Sequence, residues 1–107
     1  PRDVARRLGF SPQQLEQSLV VDEIGNPYSA SAMLGLAAVM DIARPGASIL
    51  MVSYGSGAGS DAFLWRTTKH LTEYQRKKRR QNNLVRQQVK RKYYIDYTEY
   101  LKQTHKI

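Results

Sequence analysis

Two short stretches of this 107-residue chain set polar groups beside permissive backbone, where a hydrophobic core has no use for them. The first is Ser53-Tyr54-Gly55-Ser56-Gly57-Ala58-Gly59-Ser60-Asp61-Ala62-Phe63, which alternates glycine with serine between two apolar runs. Glycine adds nothing to a core, but it lets backbone take positive φ or come close to a ligand. Ser56 has glycines on both sides, so its hydroxyl and the neighbouring N–H groups can approach a substrate carbonyl as an oxyanion-type or thioester-orienting surface. The second stretch is Gly25-Asn26-Pro27-Tyr28-Ser29, just before an apolar helical run. Asn26 carries both a carbonyl acceptor and an amide donor. At a helix start, free N–H groups and the positive dipole end favour oxygen-rich groups. The plainer reading of both stretches is that Asn-Pro and Gly-Ser are ordinary turn formers and Asn26 a cap.

The other reactive side chains point nowhere in particular. His70 and His105 have no carboxylate or serine spaced for a triad, and there is no metal-ligand spacing. Both read as surface residues. Asp61 reads as a loop-closing residue and Trp65 as core or interface. The chain has no cysteine, which excludes disulfides, thiolate metal sites and a cysteine nucleophile within these residues. It also fits a reducing compartment, and the expectation is cytoplasmic.

The elements that must position the two loops follow from periodicity and punctuation. Val4 to Leu8 ends a helix at Gly9. Ser11-Pro12-Gln13-Gln14 has the form of a capping box, with Pro12 in the first turn and Leu15 and Leu19 on the buried face of a short helix. Ala30 to Ala43 is apolar nearly all round, the pattern of a helix buried on most sides, with Ser29 or Ser31 able to cap it. Its small residues suit close approach to neighbouring backbone. Pro45-Gly46 makes a turn. Ser48 to Tyr54 reads as a fully apolar strand of a layered α/β sheet, and Ala62 to Thr67 as a second strand. The joining loop looks longer than a tight hairpin turn, which implies another job. The piece reads as strand–helix–strand, with a helix more apolar than the rest of the chain can cover, so further layers must come from elsewhere.

Formal net charge is +8, and it is uneven. From Arg76 to Lys92 there are nine basic residues and no acid, in a stretch expected to be partly helical. The tail from Tyr93 to Leu101 is aromatic and fits strand or helix equally. No apolar run reaches the roughly 18 residues of a membrane span, and nothing at the start reads as a signal peptide. These observations divide the chain into a segment 1–68 that carries the loops and a segment 69–107 of basic helix and tyrosine-rich tail packing on it.

Taken together, the Gly25–Ser31 stretch, the Ala-rich helix, Pro45-Gly46, the apolar strand and the Ser53–Phe63 loop resemble the C-terminal part of hydroxymethylglutaryl-CoA synthase. Gly57-Ala58-Gly59-Ser60-Asp61-Ala62-Phe63, the Tyr94-Ile95-Asp96-Tyr97 tail with Lys106-Ile107, and the start Val4–Phe10 are similar to its archaeal branch. The match is weakest from Thr72 to Lys92. The resemblance implies an α/β fold, the C-terminal part of a thiolase-like layered αβαβα architecture. It implies an acyltransferase that condenses acetyl-CoA with acetoacetyl-CoA, on the way to mevalonate and isoprenoids, with CoA thioesters as substrates and no cofactor or metal. By position, Asn26 matches the asparagine that bonds the acyl group and Ser56 the serine of the Gly-Ser-Gly motif, while Tyr28 and Gly55 line the same pocket. The catalytic cysteine, glutamate and histidine of that family would all precede Pro1, so no catalytic residue is expected in this chain. Pro27 departs from the family's usual threonine. Implied partners are the remainder of the synthase, a further copy in a homo-oligomer, and an acetoacetyl-CoA thiolase with a bridging protein. Two alternatives remain: a nucleic-acid-binding module built on the basic run, against which stands the common role of such runs as solvated faces, and a non-catalytic scaffold subunit.

Overall fold

A computed structural model describes residues 2–107. The first residue of the 1–68 segment therefore lies outside the described residues. Seven helices and one two-stranded sheet follow in the order α1 (Arg2–Arg7), α2 (Pro12–Glu16), α3 (Val21–Ile24), a 3-10 turn (Tyr28–Ala30), α4 (Ser31–Met40), β1 (Ser48–Tyr54), β2 (Ser60–Arg66), α5 (Leu71–Arg80), α6 (Val85–Val89) and α7 (Tyr97–Gln103). The fold is mixed α/β.

Local sequence sets most of the boundaries. Gly9, at φ +88°, ends α1, with the Phe10 N–H reaching back to the Ala5 carbonyl. Ser11 caps α2 with the reciprocal box: its hydroxyl accepts from the Gln14 N–H, and the Gln14 side chain accepts from the Ser11 N–H. Leu15 and Leu19 are half-buried, as their spacing requires. The turn after α4 joins the Arg44 carbonyl to the Ala47 N–H, with Gly46 at φ +82°. Pro then Gly at its two central positions is the sequence of a type II turn. The basic run divides at Asn82, which takes φ +54° while the Asn83 N–H bonds the Lys78 carbonyl and the Asn82 N–H the Arg79 carbonyl. That paired pattern stops a helix, and asparagine tolerates the left-handed backbone it needs. The tail resolves as helix, capped by Asp96, whose carboxylate accepts from the Glu99 N–H at 2.8 Å.

Several expectations are corrected. The two strands are adjacent in the chain and antiparallel, from Ser48 opposite Arg66 to Tyr54 opposite Ser60. The order is helix–strand–strand, not strand–helix–strand. The glycine loop is a tight hairpin connection after all. The Gly55 N–H bonds the Gly59 carbonyl at 2.8 Å, the Ala58 N–H bonds the Gly55 carbonyl at 3.0 Å, and Ala58 takes φ +62°. Three residues, Ser56 to Ala58, with the last in left-handed backbone, make a common short hairpin loop. Nor is β1 buried on both faces: Ile49 is buried, while Leu50, Val52 and Tyr54 are exposed. Neither Ser29 nor Ser31 caps α4, whose N-cap position is Ala30, with no side-chain bond.

The core is small. Val20, Ala38, Val85 and Val89 form its centre, with Leu34 and Ala37 against them. Gly35 lets α4 approach the chain entering α3: a β-carbon there would stand 3.2 Å from the Ser18 carbonyl oxygen. The Gln17 side-chain amide donates to the Ala38 carbonyl at 2.9 Å, tying the same two pieces together. At the far end of α4, the Gln75 amide donates to the Met40 and Ala43 carbonyls at 2.8 and 2.9 Å. Helix carbonyls left over at a C-terminus are thus satisfied by α5.

Asp41 lies beside that junction and is 2% exposed. One carboxylate oxygen accepts from Lys78 Nζ at 2.9 Å and the other from the Val85 N–H at 2.6 Å. Three helices, α4, α5 and α6, therefore meet at one carboxylate. Burial by itself pushes the Lys78 ammonium down, but the hydrogen bond and charge of Asp41, with a smaller contribution from Tyr74, hold it above the ordinary lysine value of 10.5. A raised pKa means that the pair's stabilisation is full below the unfolded-lysine value and fades as pH rises through the folded one.

Asp41→Ala is expected to cost about 3–5 kcal/mol, since it strands a largely buried ammonium and a helix N–H; urea unfolding measures it. The stability difference between the native chain and Lys78→Met should stay constant up to about pH 10 and shrink above it, as the native ammonium loses its proton. A difference that instead grows with alkaline pH would overturn this account.

Candidate functional site

The structure gives the Asn26 stretch a defined local geometry. The Asn26 side-chain oxygen accepts from the Tyr28 N–H at 2.9 Å and from the Ser31 hydroxyl at 3.0 Å. It therefore takes over the capping that serine was expected to provide, one turn earlier, across the 3-10 turn. The carboxamide is fixed by its oxygen, and its NH2 group has no partner among the described residues. Pro27 holds φ −81° and ψ 23° at the start of the turn. Tyr28 follows at φ +59°, left-handed backbone that a bulky side chain enters only under constraint. The residue is 78% exposed. A strained, displayed tyrosine beside an oriented amide is local structure aimed outward, not inward.

Ser56 and Gly55 lie at the other loop, the tip of the β1–β2 hairpin, and both are exposed. The Ser56 hydroxyl makes no bond to the chain, unlike Ser60, whose hydroxyl is spent on the Ser53 carbonyl at 3.0 Å. The structure thus sets Asn26 beside Tyr28 at one loop and Ser56 beside Gly55 at the other. An open groove of about 750 Å3, lined by residues such as Arg6, Phe10, Leu15 and Arg86, includes none of these four. Its arginines are already paired, Arg6 with Asp3 and Arg86 with Glu23.

His70 and His105 are exposed, and His105 ends α7 at φ +55°. No group of three or more His, Cys, Asp or Glu that could hold a metal occurs among the described residues. Trp65 stacks on Phe63 with centroids 6.1 Å apart, along one face of β2. Asp41, the most consequential polar residue, escaped the sequence reading. Its only signal was an acid at the end of an otherwise apolar helix.

Comparison with characterised proteins places the whole chain in one family. The chain is homologous over its full length to a segment of archaeal hydroxymethylglutaryl-CoA synthases. It is 47% identical over 107 residues to that of Methanopyrus kandleri, 49% over 107 to that of Archaeoglobus fulgidus and 40% over 107 to that of Methanosarcina barkeri. Each alignment takes in 100% of this chain, which spans 29–30% of the length of these relatives. No family model matches the chain. No helix among the described residues is long and apolar enough to cross a membrane.

Asn26→Ala removes the acceptor of two hydrogen bonds and should lower stability by about 0.5–2 kcal/mol. Tyr28→Gly relieves the left-handed backbone and should leave the melting temperature equal or higher. A clear loss of stability on Tyr28→Gly would show that the ring serves packing instead.

Proposed function

We propose that this chain is a substrate-binding segment of a hydroxymethylglutaryl-CoA synthase, an enzyme that joins acetyl-CoA to acetoacetyl-CoA. The observation that carries this is homology at 40–49% identity over the whole of this chain, which spans 29–30% of the length of those relatives. In this reading the NH2 of Asn26 donates to the acyl carbonyl, and the Ser56 hydroxyl with adjoining backbone N–H groups steadies the thioester. Tyr28 and Gly55 line the same pocket. The acylated nucleophile and the proton-removing base come from residues beyond this chain, which has no cysteine. What these residues do is bind and orient: both displays are fixed by backbone geometry, so little ordering remains to be done when substrate arrives.

The surface supports a place within a larger layered fold of the thiolase kind. Accessible area is 8642 Å2, whereas a compact monomer of 12.2 kDa exposes about 6,000 Å2. The radius of gyration is 16.3 Å, against about 13 Å for a compact domain of this length. Part of the exposed surface is apolar. Leu50, Val52, Tyr54 and Leu64 stand together on one hairpin face, with Leu64 76% exposed. An apolar sheet face of that kind is covered in a layered fold by a helix. The segments 1–68 and 69–107 then act as one unit, since Asp41 joins α4 to α5 and α6. CoA thioesters are the small-molecule partners, and the remainder of the synthase, further copies of it and a thiolase complex are the macromolecular ones.

In the full-length protein, Ser56→Ala should lower the turnover of acetyl-CoA condensation about a hundredfold while leaving the unfolding midpoint unchanged. Turnover within a factor of about two of the native enzyme would mark the hairpin tip as a scaffold.

A further inference from the structure

We propose that the exposed basic face formed by the end of α5 and by the residues that follow α6 binds a single-stranded nucleic acid through its phosphate backbone. The basic run is not uniformly spent. Lys78 is used by Asp41, and Arg86 by Glu23. Arg76, Lys77, Arg79, Arg80 and Lys90 are exposed and have no carboxylate within 4.0 Å among the described residues. Uncompensated cations one turn apart repel each other, so a helix holding them gains when a polyanion arrives. Some of this repulsion is already offset, since the cations sit at the end of α5 where the helix dipole favours positive charge.

Geometry gathers them. Arg76, Lys77 and Arg80 line one shallow groove of about 390 Å3 on α5, together with the single acid Glu73. Helical spacing of three and four residues puts all of these on one side. One later cation returns to this end of α5: the Arg91 guanidinium donates to the Asn82 carbonyl, just past the helix. A contact with a carbonyl leaves the charge uncompensated. Arginine predominates, and its planar fork matches phosphate oxygens.

Two aromatic rings favour a nucleic acid over an acidic protein. Tyr93 is 84% exposed and Tyr94 73% exposed, and both directly follow the cations. Lys92 Nζ, which donates to the Glu23 carbonyl at 2.8 Å, stands 5.0 Å from the centre of the Tyr94 ring, giving a cation and a stacking surface side by side. Bases present π faces to such rings whatever their sequence, so the expected binding is sequence-tolerant and salt-dependent. This surface involves neither Asn26 nor Ser56, and the inference stands apart from the acyl-transfer reading.

The test is fluorescence anisotropy of a labelled oligo(dT) about 12 nucleotides long, titrated with the intact protein. If about four phosphates are neutralised, affinity should fall with salt at a log–log slope near −3. The triple variant Arg76→Glu, Lys77→Glu, Arg80→Glu should weaken binding by more than about tenfold. The pair Tyr93→Ala, Tyr94→Ala should weaken it about fivefold or more while leaving the salt slope in place. Both variants should retain the native acetyl-CoA condensation rate, so that a failed Ser56 test and a failed oligonucleotide test remain distinct. Absence of binding at low salt, indifference to both variants, or equal displacement by polyglutamate of matched charge would overturn the proposal; the last result would mark the face as a site for acidic protein.

Discussion

One buried carboxylate organises this structure. Asp41 sits at the C-terminal end of α4, takes a proton donor from α5 and another from the first residue of α6, and is closed to solvent. A charge in that position is tolerable only because both oxygens are engaged. The hydrophobic cluster around Val20, Ala38, Val85 and Val89 is too small to fix three helices by itself. Apolar contact is non-directional, whereas two short bonds to one rigid carboxylate set position and angle. The Gln75 bonds to Met40 and Ala43 repeat the device a few residues away. The junction therefore holds the basic helices against the rest of the chain.

The two loops of chemical interest are built in a different way, from backbone. Asn26 spends its carbonyl oxygen on a neighbouring N–H and a hydroxyl, which leaves the amide NH2 without a partner among the described residues. Ser56 rides on a three-residue hairpin loop whose closing bonds are all main chain. Such groups are positioned by short-range geometry and need few tertiary contacts to hold their shape. The capping reading of Asn26 and the binding reading are thus compatible, since the oxygen that caps is not the group that donates.

Other surfaces are unfinished by the standards of a compact domain. The hairpin shows apolar side chains on both faces, and α7 carries exposed tyrosines, among them Tyr97 and Tyr100 stacked 6.2 Å apart. Buried apolar residues are few for a chain that is 41% hydrophobic. Folding must offset roughly 1–2 kcal/mol of backbone entropy per residue, and a core of this size contributes little toward it. These exposed apolar side chains belong to a chain that spans 29–30% of the length of its relatives.

The sequence by itself determined what depends on near neighbours. The Ser11–Gln14 box, the stop at Gly9, the Pro45-Gly46 turn and the family resemblance were all legible, because caps and turns are settled within a few residues of the chain. The strand ends were nearly right for the same reason. The tight closure of the glycine loop was not legible, since a hairpin is decided by pairing across β1 and β2, and the loop composition suits longer connections equally well. The helical state of the tail was likewise open until Asp96 was seen to cap it. Only the tertiary structure decided the role of Asp41, whose partners lie 37 and 44 residues away. Nothing local distinguishes an acid that ends a helix in water from one that will meet a lysine and a helix N–H in the interior, because that difference arises from burial, which the whole chain sets.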